Sequence, residues 1–251
     1  MGEKREVSGA YGPTVNLKPA GWVDESRAQF ALLLGLDRCT WCGGRPAPEG
    51  ACTACRESLP WNRPACPACA RPGPTEARCP ACVGSSSPWD AAWTAFVLEA
   101  PIQGLVHGLK YHDRFDHGRL LGALMGEALA RRPRPLPDVV LPVPLHWRRL
   151  MRRGYNQAAV LAAAIARVVP LPIEVACAQR VRETADQIGM DAAARKRNVA
   201  GAFEMRRDLS GLRVALLDDV MTTGATLGAL AEAARAAGAA EIEVWAAARV
   251  A

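Results

Sequence analysis

The chain has 251 residues, of which 50% are hydrophobic and 22% charged, so it can form a sizeable core and is not disordered throughout. The 31 Lys and Arg outnumber the 25 Asp and Glu, and the resulting net charge of +6 is compatible with a polyanionic partner. No apolar run approaches the roughly 18 residues of a membrane span, and no basic region precedes the short apolar stretch 28–36, which argues against a secretory signal.

The N-terminal third divides into a tail and a small domain. Residues 1–22 are polar without periodicity, so we predict a disordered tail. A short helix with one apolar face is predicted over 23–36, followed by a stretch rich in Pro, Gly and Cys. Together they form a predicted small domain, 23–84. A Gly-Ser-Ser-Ser-Pro linker then leads into a predicted larger domain, 89–251.

Eight of the nine cysteines form a duplicated unit, C-x2-C-x9-C-x2-C, whose second copy lies 27 residues after the first. Each unit is too small to bury a core and has thiolate spacing typical of structural zinc, so we predict two closed tetrahedral sites. Taken in sequence order, the ligands are Cys39, Cys42, Cys52 and Cys55, then Cys66, Cys69, Cys79 and Cys82. A cross-braced arrangement stays open. Metal knuckles rather than disulfides favour a reducing cytoplasm.

Aromatic and basic residues surround these knuckles. Trp41 and Trp61 could stack on bases while nearby arginines bind phosphates, which would suit single-stranded DNA. The alternative is that the ribbons are a packing platform for the larger domain.

The larger domain alternates predicted strands and helices, which favours an α/β fold with a parallel sheet covered on both faces. The predicted strands are Ala91–Leu98, Asp138–Val143, Ile173–Ala178, Arg213–Leu217 and Ile242–Ala248. The predicted helices are Ile102–His112, Gly118–Arg131, Asn156–Val169, Ala192–Val199 and Leu227–Ala237. Cys177 in the third strand is predicted to be a buried thiol.

The segment VALLDDVMTTGATL, residues 214–227, has the most specific pattern. An apolar strand runs into Asp218 and Asp219, and a hydroxyl-rich loop precedes a helix. Backbone amides at a helix N-terminus can bind a phosphate, and Gly224 would allow its close approach. Two adjacent carboxylates can accept hydrogen bonds from a sugar diol. The alternative is a strand-turn-helix with an acidic cap and no ligand. Neither the P-loop nor the dinucleotide fingerprint is present.

Two further stretches are rich in arginine. Residues 141–157 form a predicted strand that ends at Pro144 and is followed by four arginines, whose guanidinium groups bind phosphate and stay charged. A solvated basic loop is the alternative. Residues 180–203 have the polar character of a mobile lid over a charged substrate, the alternative being an exposed amphipathic helix.

Segment 214–227 resembles the phosphoribosylpyrophosphate (PRPP) binding motif of type I phosphoribosyltransferases. With LPVPLHWRRLMRRGYNQ at 141–157, the stretch 180–203, GLKYHDR at 108–114 and the cysteine repeat, it resembles the ComF (ComFC-type) competence family. Members pair an N-terminal double zinc ribbon with a type I phosphoribosyltransferase domain. The resemblance extends from Leu32 to the C-terminus.

The resemblance implies a PRPP site at the carboxyl ends of the strands of a Rossmann-like sheet. Asp218 and Asp219 would meet the ribose hydroxyls, and Arg148 and Arg149 the pyrophosphate. The 5-phosphate would be held by Met221, Thr222, Thr223, Gly224, Ala225 and Thr226. The catalytic loop would contain Arg180, Arg182 and Gln187, where Thr184, Arg195 and Asn198 also match the family pattern.

The resemblance also implies Mg²⁺-dependent displacement of pyrophosphate from PRPP and a role in the uptake of DNA during natural transformation. The sequence contains no Ser-His-Asp or Cys-His arrangement, so positioning and electrostatics would carry the chemistry. Two alternatives stay open: a non-catalytic PRPP sensor, and a module that handles single-stranded DNA or docks a DNA-uptake helicase. The acceptor and the oligomeric state are not specified by the sequence.

Overall fold

A computed structural model describes residues 38–44, 50–184 and 191–251, apart from the side chains of residues 192, 193 and 196. The predicted tail over 1–22 and the predicted helix over 23–36 lie outside the described residues. Among the described helices, none combines the length and apolar character needed to cross a bilayer.

A parallel sheet forms the centre of the larger domain. The strands are β1 Ala91–Val97, β2 Val139–Pro142, β3 Ala178–Arg180, β4 Phe203–Met205, β5 Arg213–Met221 and β6 Glu241–Arg249. Four of them pair in the order β1-β6-β5-β2, all parallel. Strands β5 and β6 lie in the middle and are almost entirely buried, which agrees with their continuous apolar sequences. The carboxyl ends of β5 and β2 therefore meet at one edge of the sheet.

Helices cover both faces of this sheet. They are α1 Thr53–Glu57, α2 Ile102–Tyr111, α3 Phe115–Ala130, α4 Trp147–Arg153, α5 Gln157–Val168, α6 Ala192–Val199 and α7 Ala225–Ala236. Helices α2, α3 and α5 pack against one face of the sheet, and α7 packs against the other. Helices α3 and α5 approach closely at Gly122, where a Cβ atom would lie 2.5 Å from the Cβ of Ala164. Small residues thus set the distance between these two helices.

The predicted strand Ile173–Ala178 is wrong. Only Ile173 pairs with the sheet, through a parallel bridge to Val140. The next bond of that ladder would need an N–H at Pro142 of β2, and proline has none. The chain then bends, and β3 begins at Ala178 and pairs antiparallel with β4, outside the main sheet. Cys177 is buried as predicted, and burial raises the pKa of its thiol.

The basic stretch after β2 forms a helix, not the solvated loop of the alternative interpretation. Helix α4 carries the sequence WRRLMRR and ends at Gly154, whose φ of 82° is left-handed and whose N–H donates to the Leu150 carbonyl over 2.7 Å. A glycine is favoured at such a helix end because it has no Cβ atom to clash. The helix places its arginines on different sides, so they do not all face one ligand.

Candidate functional site

A cleft of about 640 Å³ opens where β2 and β5 end. Its acidic lining residues are Asp113, Asp218 and Asp219. Its basic lining residues are Lys110, Arg149, Arg152, Arg153, Arg180 and Arg195. The cleft is therefore net positive, with a small acidic region on the sheet side. Such a lining suits a ligand that carries several negative charges and also presents hydroxyl groups.

The acidic pair lies inside strand β5, not after it as predicted. The strand continues to Met221, so Asp218 and Asp219 occupy its carboxyl-terminal part and the Met221 side chain is buried. A carboxylate oxygen of Asp218 accepts from the Asp219 N–H over 2.8 Å, and one of Asp219 accepts from the Val220 N–H over 2.9 Å. The strand thus fixes both carboxylates at the floor of the cleft.

Lys110, the only Lys, Arg, Asp or Glu in α2, reaches across to this pair. Its Nζ lies 2.8 Å from a carboxylate oxygen of Asp219, whose side chain is 5% exposed. Burial disfavours the charge of Lys110, but the attraction of Asp219 and Asp218 outweighs it, so the pKa of Lys110 is raised. The sequence analysis assigned Lys110 no role. The feature that could have indicated one is its single formal charge on an otherwise uncharged helix.

Asp218 has a different environment from its neighbour. Burial raises the pKa of its carboxyl to about 8, the negative charge of Asp219 acts in the same direction, and Lys110 opposes both. Two adjacent carboxylates near one cation commonly behave in this way, because they do not both ionise easily. Without a ligand, the site therefore holds a proton on this pair near neutral pH.

The loop Thr222–Gly224 connects β5 to α7. Thr222 and Thr226 line the cleft, whereas the Thr223 hydroxyl accepts from the Ala225 N–H over 3.3 Å. The first helical hydrogen bond of α7 runs from the Gly228 N–H to the Gly224 carbonyl. The backbone N–H groups before Gly228 therefore have no acceptor within the helix. Ala225 belongs to the helix, not to the predicted loop. Hydroxyls and amides at this helix start can bind a phosphate.

Gly224 has a structural reason beyond the predicted close approach of a ligand. Its φ of 79° is left-handed, and a Cβ atom there would lie 2.9 Å from Met221 Cε and 3.0 Å from Trp89 Cη2. The glycine therefore permits the turn and lets the loop pack against the Trp89 ring.

The structure separates the two arginines predicted to bind pyrophosphate. Arg149 lines the cleft, together with Arg152 and Arg153, which the sequence could not rank. Arg148 does not line it; its guanidinium pairs with Glu183 over 2.9 Å and lies over the Trp147 ring.

Of the described arginines predicted for the catalytic loop, Arg180 lines the cleft and Arg182 does not. Arg180 is buried, lines the cleft and donates to the Thr184 hydroxyl. Arg182 instead donates to the carbonyls of Asn198 and Ala200, over 3.0 and 2.6 Å, and does not line the cleft. Gln187 lies outside the described residues.

The cysteines form two groups of four in sequence order, and not the cross-braced alternative. Within Cys39, Cys42, Cys52 and Cys55, and within Cys66, Cys69, Cys79 and Cys82, the ligand atoms all lie within 4.8 Å of one another. Amides of Cys52 and Cys79 point at the sulfurs of Cys39 and Cys66. Burial raises the pKa of these two thiols, but amide hydrogen bonds outweigh it and lower both to about 6. Thiolates so arranged fit structural zinc.

We expect two zinc ions per chain in protein purified without added zinc. Cys42→Ser combined with Cys55→Ser should reduce the ratio to one, because only the first group loses ligands. Cys177→Ser is the matched control and should leave the ratio at two, since that thiol lies outside both groups. Elemental analysis measures the ratio. A ratio near zero, with the eight thiols paired as disulfides, would contradict the zinc assignment.

The tryptophans of the ribbons pack inward. The Trp61 ring lies 4.5 Å from that of Phe96, and its Nε1 donates to the Arg56 carbonyl over 2.8 Å. Arg56 in turn binds both carboxylate oxygens of Glu127. Trp41 also packs against the core. These contacts favour the packing-platform alternative for the ribbon tryptophans over base stacking.

Comparison with known proteins identifies the family. Residues 31–83 match the family model for the double zinc ribbon domain. The chain is 34% identical over 201 residues to DNA utilization protein YhgH of Salmonella typhi, covering 78% of this chain and 88% of that protein. It is 32% identical over 222 residues to Competence protein F of Haemophilus influenzae, covering 84% and 96%. The chain belongs to the ComF competence family. Its relatives thus include proteins named for DNA utilization and for competence.

The solved structures that match are more distant. The glutamine PRPP amidotransferase of B. subtilis is 23% identical, with a TM-score of 0.38 and coverage of 55% of this chain and 30% of that one. A purine phosphoribosyltransferase from Pyrococcus horikoshii is 19% identical, with a TM-score of 0.31 and coverage of 54% and 82%. The fold assignment rests on the chain itself. The parallel sheet, its two helical layers and the double zinc ribbon confirm the predicted α/β class with a small N-terminal zinc domain.

Proposed function

We propose that the cleft binds PRPP together with Mg²⁺. This ComF-family protein would then be a phosphoribosyltransferase-like protein that takes part in DNA uptake. The observation that carries the proposal is the joining of three features at one cleft. Asp218 and Asp219 lie on its floor, Thr222 and Thr226 lie at a helix N-terminus, and several arginines face them. PRPP presents a diol, a monophosphate and a pyrophosphate, which match these three features in turn.

Each part of PRPP then has its own residues. Asp218 and Asp219 accept hydrogen bonds from the ribose hydroxyls. Thr222, Thr226 and the first amides of α7 bind the 5-phosphate. Arg149, Arg152 and Arg153 hold the pyrophosphate, in place of the predicted pair Arg148 and Arg149. Arginines suit this role because they bind oxygens bidentately and remain charged.

The reaction that fits is displacement at the anomeric carbon. The bond from that carbon to the pyrophosphate oxygen breaks, the oxygen keeps the electron pair, and an acceptor nucleophile forms the new bond. Asp218 and Asp219 have the oxygen ligands that Mg²⁺ prefers, and the ion would offset charge on the leaving group. The residues of the chain orient the ribose and hold the pyrophosphate, so no covalent nucleophile is needed. Arg180 and Arg195 also line the cleft and add positive charge that favours a phosphorylated ligand.

Two measurements test this proposal. Calorimetric titration of the zinc-loaded protein with PRPP and Mg²⁺ should show one site per chain. A screen for acceptor-dependent release of pyrophosphate then separates a transferase from the alternative, a non-catalytic sensor. Binding without release from any acceptor would favour the sensor, and the absence of binding would contradict the proposal for the cleft itself.

A second candidate function is favoured by the outer surface of α4. Trp147 and Met151 are 60% and 78% exposed, and Leu150 is 40% exposed. Arginines alternate with these residues along the helix. Exposed aromatics among cations suit single-stranded DNA, whose bases stack while its phosphates pair with arginine. We propose this helix, rather than the ribbon tryptophans, as the DNA-binding surface. The thiolate ligands also support our proposal of a reducing, cytoplasmic location.

We expect Trp147→Ala to weaken binding of a labelled oligothymidylate by about tenfold, because loss of one stacking contact costs roughly 1–3 kcal/mol. Val83→Ala is the matched control: Val83 is 68% exposed but lies in the second ribbon. Fluorescence anisotropy at two salt concentrations measures the affinity and its electrostatic part. Equal affinity of the Trp147 variant and the wild type would exclude α4 as the DNA surface.

A further inference from the structure

Hydrogen bonds from the larger domain and from Asn62 hold the backbone of the second four-cysteine group. Four consecutive carbonyl groups, those of residues 67–70, each accept a hydrogen bond from outside the knuckle. The donors are the Ala92 N–H at 2.8 Å, Trp89 Nε1 at 2.7 Å, Arg249 Nε at 3.0 Å and Asn62 Nδ2 at 2.7 Å. Such complete pairing fixes the knuckle against the ends of β1 and β6.

Arg249 links this knuckle to the loop at the cleft. It is the last residue of β6 and is 4% exposed. Its Nε donates to the carbonyl of the ligand residue Cys69, and its Nη1 donates to the carbonyls of Met221 and Thr222. One planar guanidinium therefore joins the backbone of a zinc ligand to the backbone that carries Thr222.

Trp89 makes a second, separate link to the other end of the same loop. Its Nε1 donates to the Ala68 carbonyl, inside the knuckle. Its ring packs at 3.0 Å from the Cβ position of Gly224 and at 3.5 Å from that of Gly228. The loop Thr222–Gly224 is thus held at both ends by residues whose other partner is the second knuckle.

Charge reinforces these contacts. A zinc ion with four thiolates carries a net negative charge, because the thiolates outweigh the dication. In the part of the chain that the structure describes, no carboxylate forms an ion pair with Arg249, whose contacts are main-chain carbonyls. Buried cations need a compensating charge or complete hydrogen bonding. The metal-loaded second group supplies a negative neighbour, which stabilises the guanidinium in its bridging position.

We infer that the second zinc group positions the phosphate-binding loop, and that Arg249 is the positioning residue that connects them. The inference rests on the proposed function, since it concerns the affinity of that cleft for PRPP. The first zinc group, Cys39 to Cys55, has no such link among the described contacts. The adjoining Arg56 pairs with Glu127, and Trp41 and Ala51 pack in the core that includes Phe96. The two metal sites therefore differ in their effect on the cleft.

Two double variants, each lacking one metal site, test this inference by calorimetry with PRPP and Mg²⁺. Loss of the second site by Cys69→Ser with Cys82→Ser should weaken PRPP binding by about tenfold or more, within the range usual for coupled sites. Loss of the first site by Cys42→Ser with Cys55→Ser should change it less than about twofold. Arg249→Lys keeps the charge but has one nitrogen, so it should weaken binding while both zinc ions remain bound.

A spectroscopic readout separates positioning from a general loss of structure. The variant without the first site is loaded with Co²⁺, whose thiolate absorption then reports only the second group. Addition of PRPP should shift that spectrum. The variant without the second site, loaded with Co²⁺ at the first, should show no shift. If the wild type does not bind PRPP, the proposed function fails. If the wild type binds but both double variants bind equally well and neither spectrum moves, only the present inference is overturned. If the second-site variant does not fold, Arg249→Lys and the cobalt spectrum decide.

Discussion

Replacing Asp218 and Asp219 together by Asn should weaken PRPP binding by about two to four orders of magnitude. Each substitution removes a hydrogen bond to a charged acceptor, worth roughly 1.5–3 kcal/mol, and about 1.4 kcal/mol corresponds to a factor of ten. The size of the side chains hardly changes, so the cleft keeps its shape. Calorimetric titration with PRPP and Mg²⁺ measures the loss.

The single variants refine this result, because the two acids have different neighbours. Asp219 pairs with Lys110, so Asp219→Asn leaves a buried ammonium without its partner and should also lower the stability of the fold. Asp218→Asn has no such cost. Asp113→Asn is the matched control: it makes the same change of charge on the same cleft, away from β5. Unaltered affinity in a folded Asp218 variant would show that the carboxylates do not meet the ribose.

Affinity for PRPP should rise by about one to two orders of magnitude between roughly pH 6 and pH 8. The pKa of Asp218 is raised to about 8 in the free protein, so a proton must leave before the carboxylate can accept from the diol. In Asp218→Asn this dependence should disappear. Titration of both proteins across this range separates Asp218 from the phosphates of the ligand, which titrate equally in both cases. Parallel pH profiles would contradict the assignment.

The stability of the free protein should show the opposite trend. Between the unfolded pKa near 3.8 and the folded pKa near 8, the native state binds more protons at Asp218 than the unfolded chain. Its contribution to the free energy of unfolding is therefore full below about pH 4 and is lost as the pH rises toward 8. Asp218→Asn should flatten this part of the profile in denaturant unfolding. If the free energy of unfolding changed with pH equally in the wild type and in Asp218→Asn, the raised pKa of Asp218 would be contradicted.

Local patterns predicted the features that depend on neighbouring residues. The period of the cysteine unit predicted both metal groups, because each is completed by residues close in sequence. Continuous apolar runs predicted the four sheet strands, since a buried strand needs little else. The acid pair and the threonine loop were found for the same reason: strand end, turn and helix start are consecutive.

Features that depend on distant contacts were not predicted. Lys110 reaches Asp219 only because α2 packs beside β5, and Arg249 reaches Cys69 from the far end of the chain. Arg148 and Arg149 are adjacent in sequence, but only Arg149 lines the cleft, whereas Arg148 pairs with Glu183. The predicted strand Ile173–Ala178 failed because Pro142 of β2 has no N–H to continue the ladder past Ile173. Spacing alone could not supply any of these contacts.

The most direct test of the central claim is a crystal structure of the zinc-loaded protein with PRPP and Mg²⁺. We predict that the 5-phosphate lies against Thr222, Thr226 and the first amides of α7, with the ribose hydroxyls at Asp218 and Asp219. The pyrophosphate should face Arg149, Arg152 and Arg153. PRPP bound elsewhere on the protein, or a cleft without ligand at a PRPP concentration that saturates binding in solution, would contradict this account.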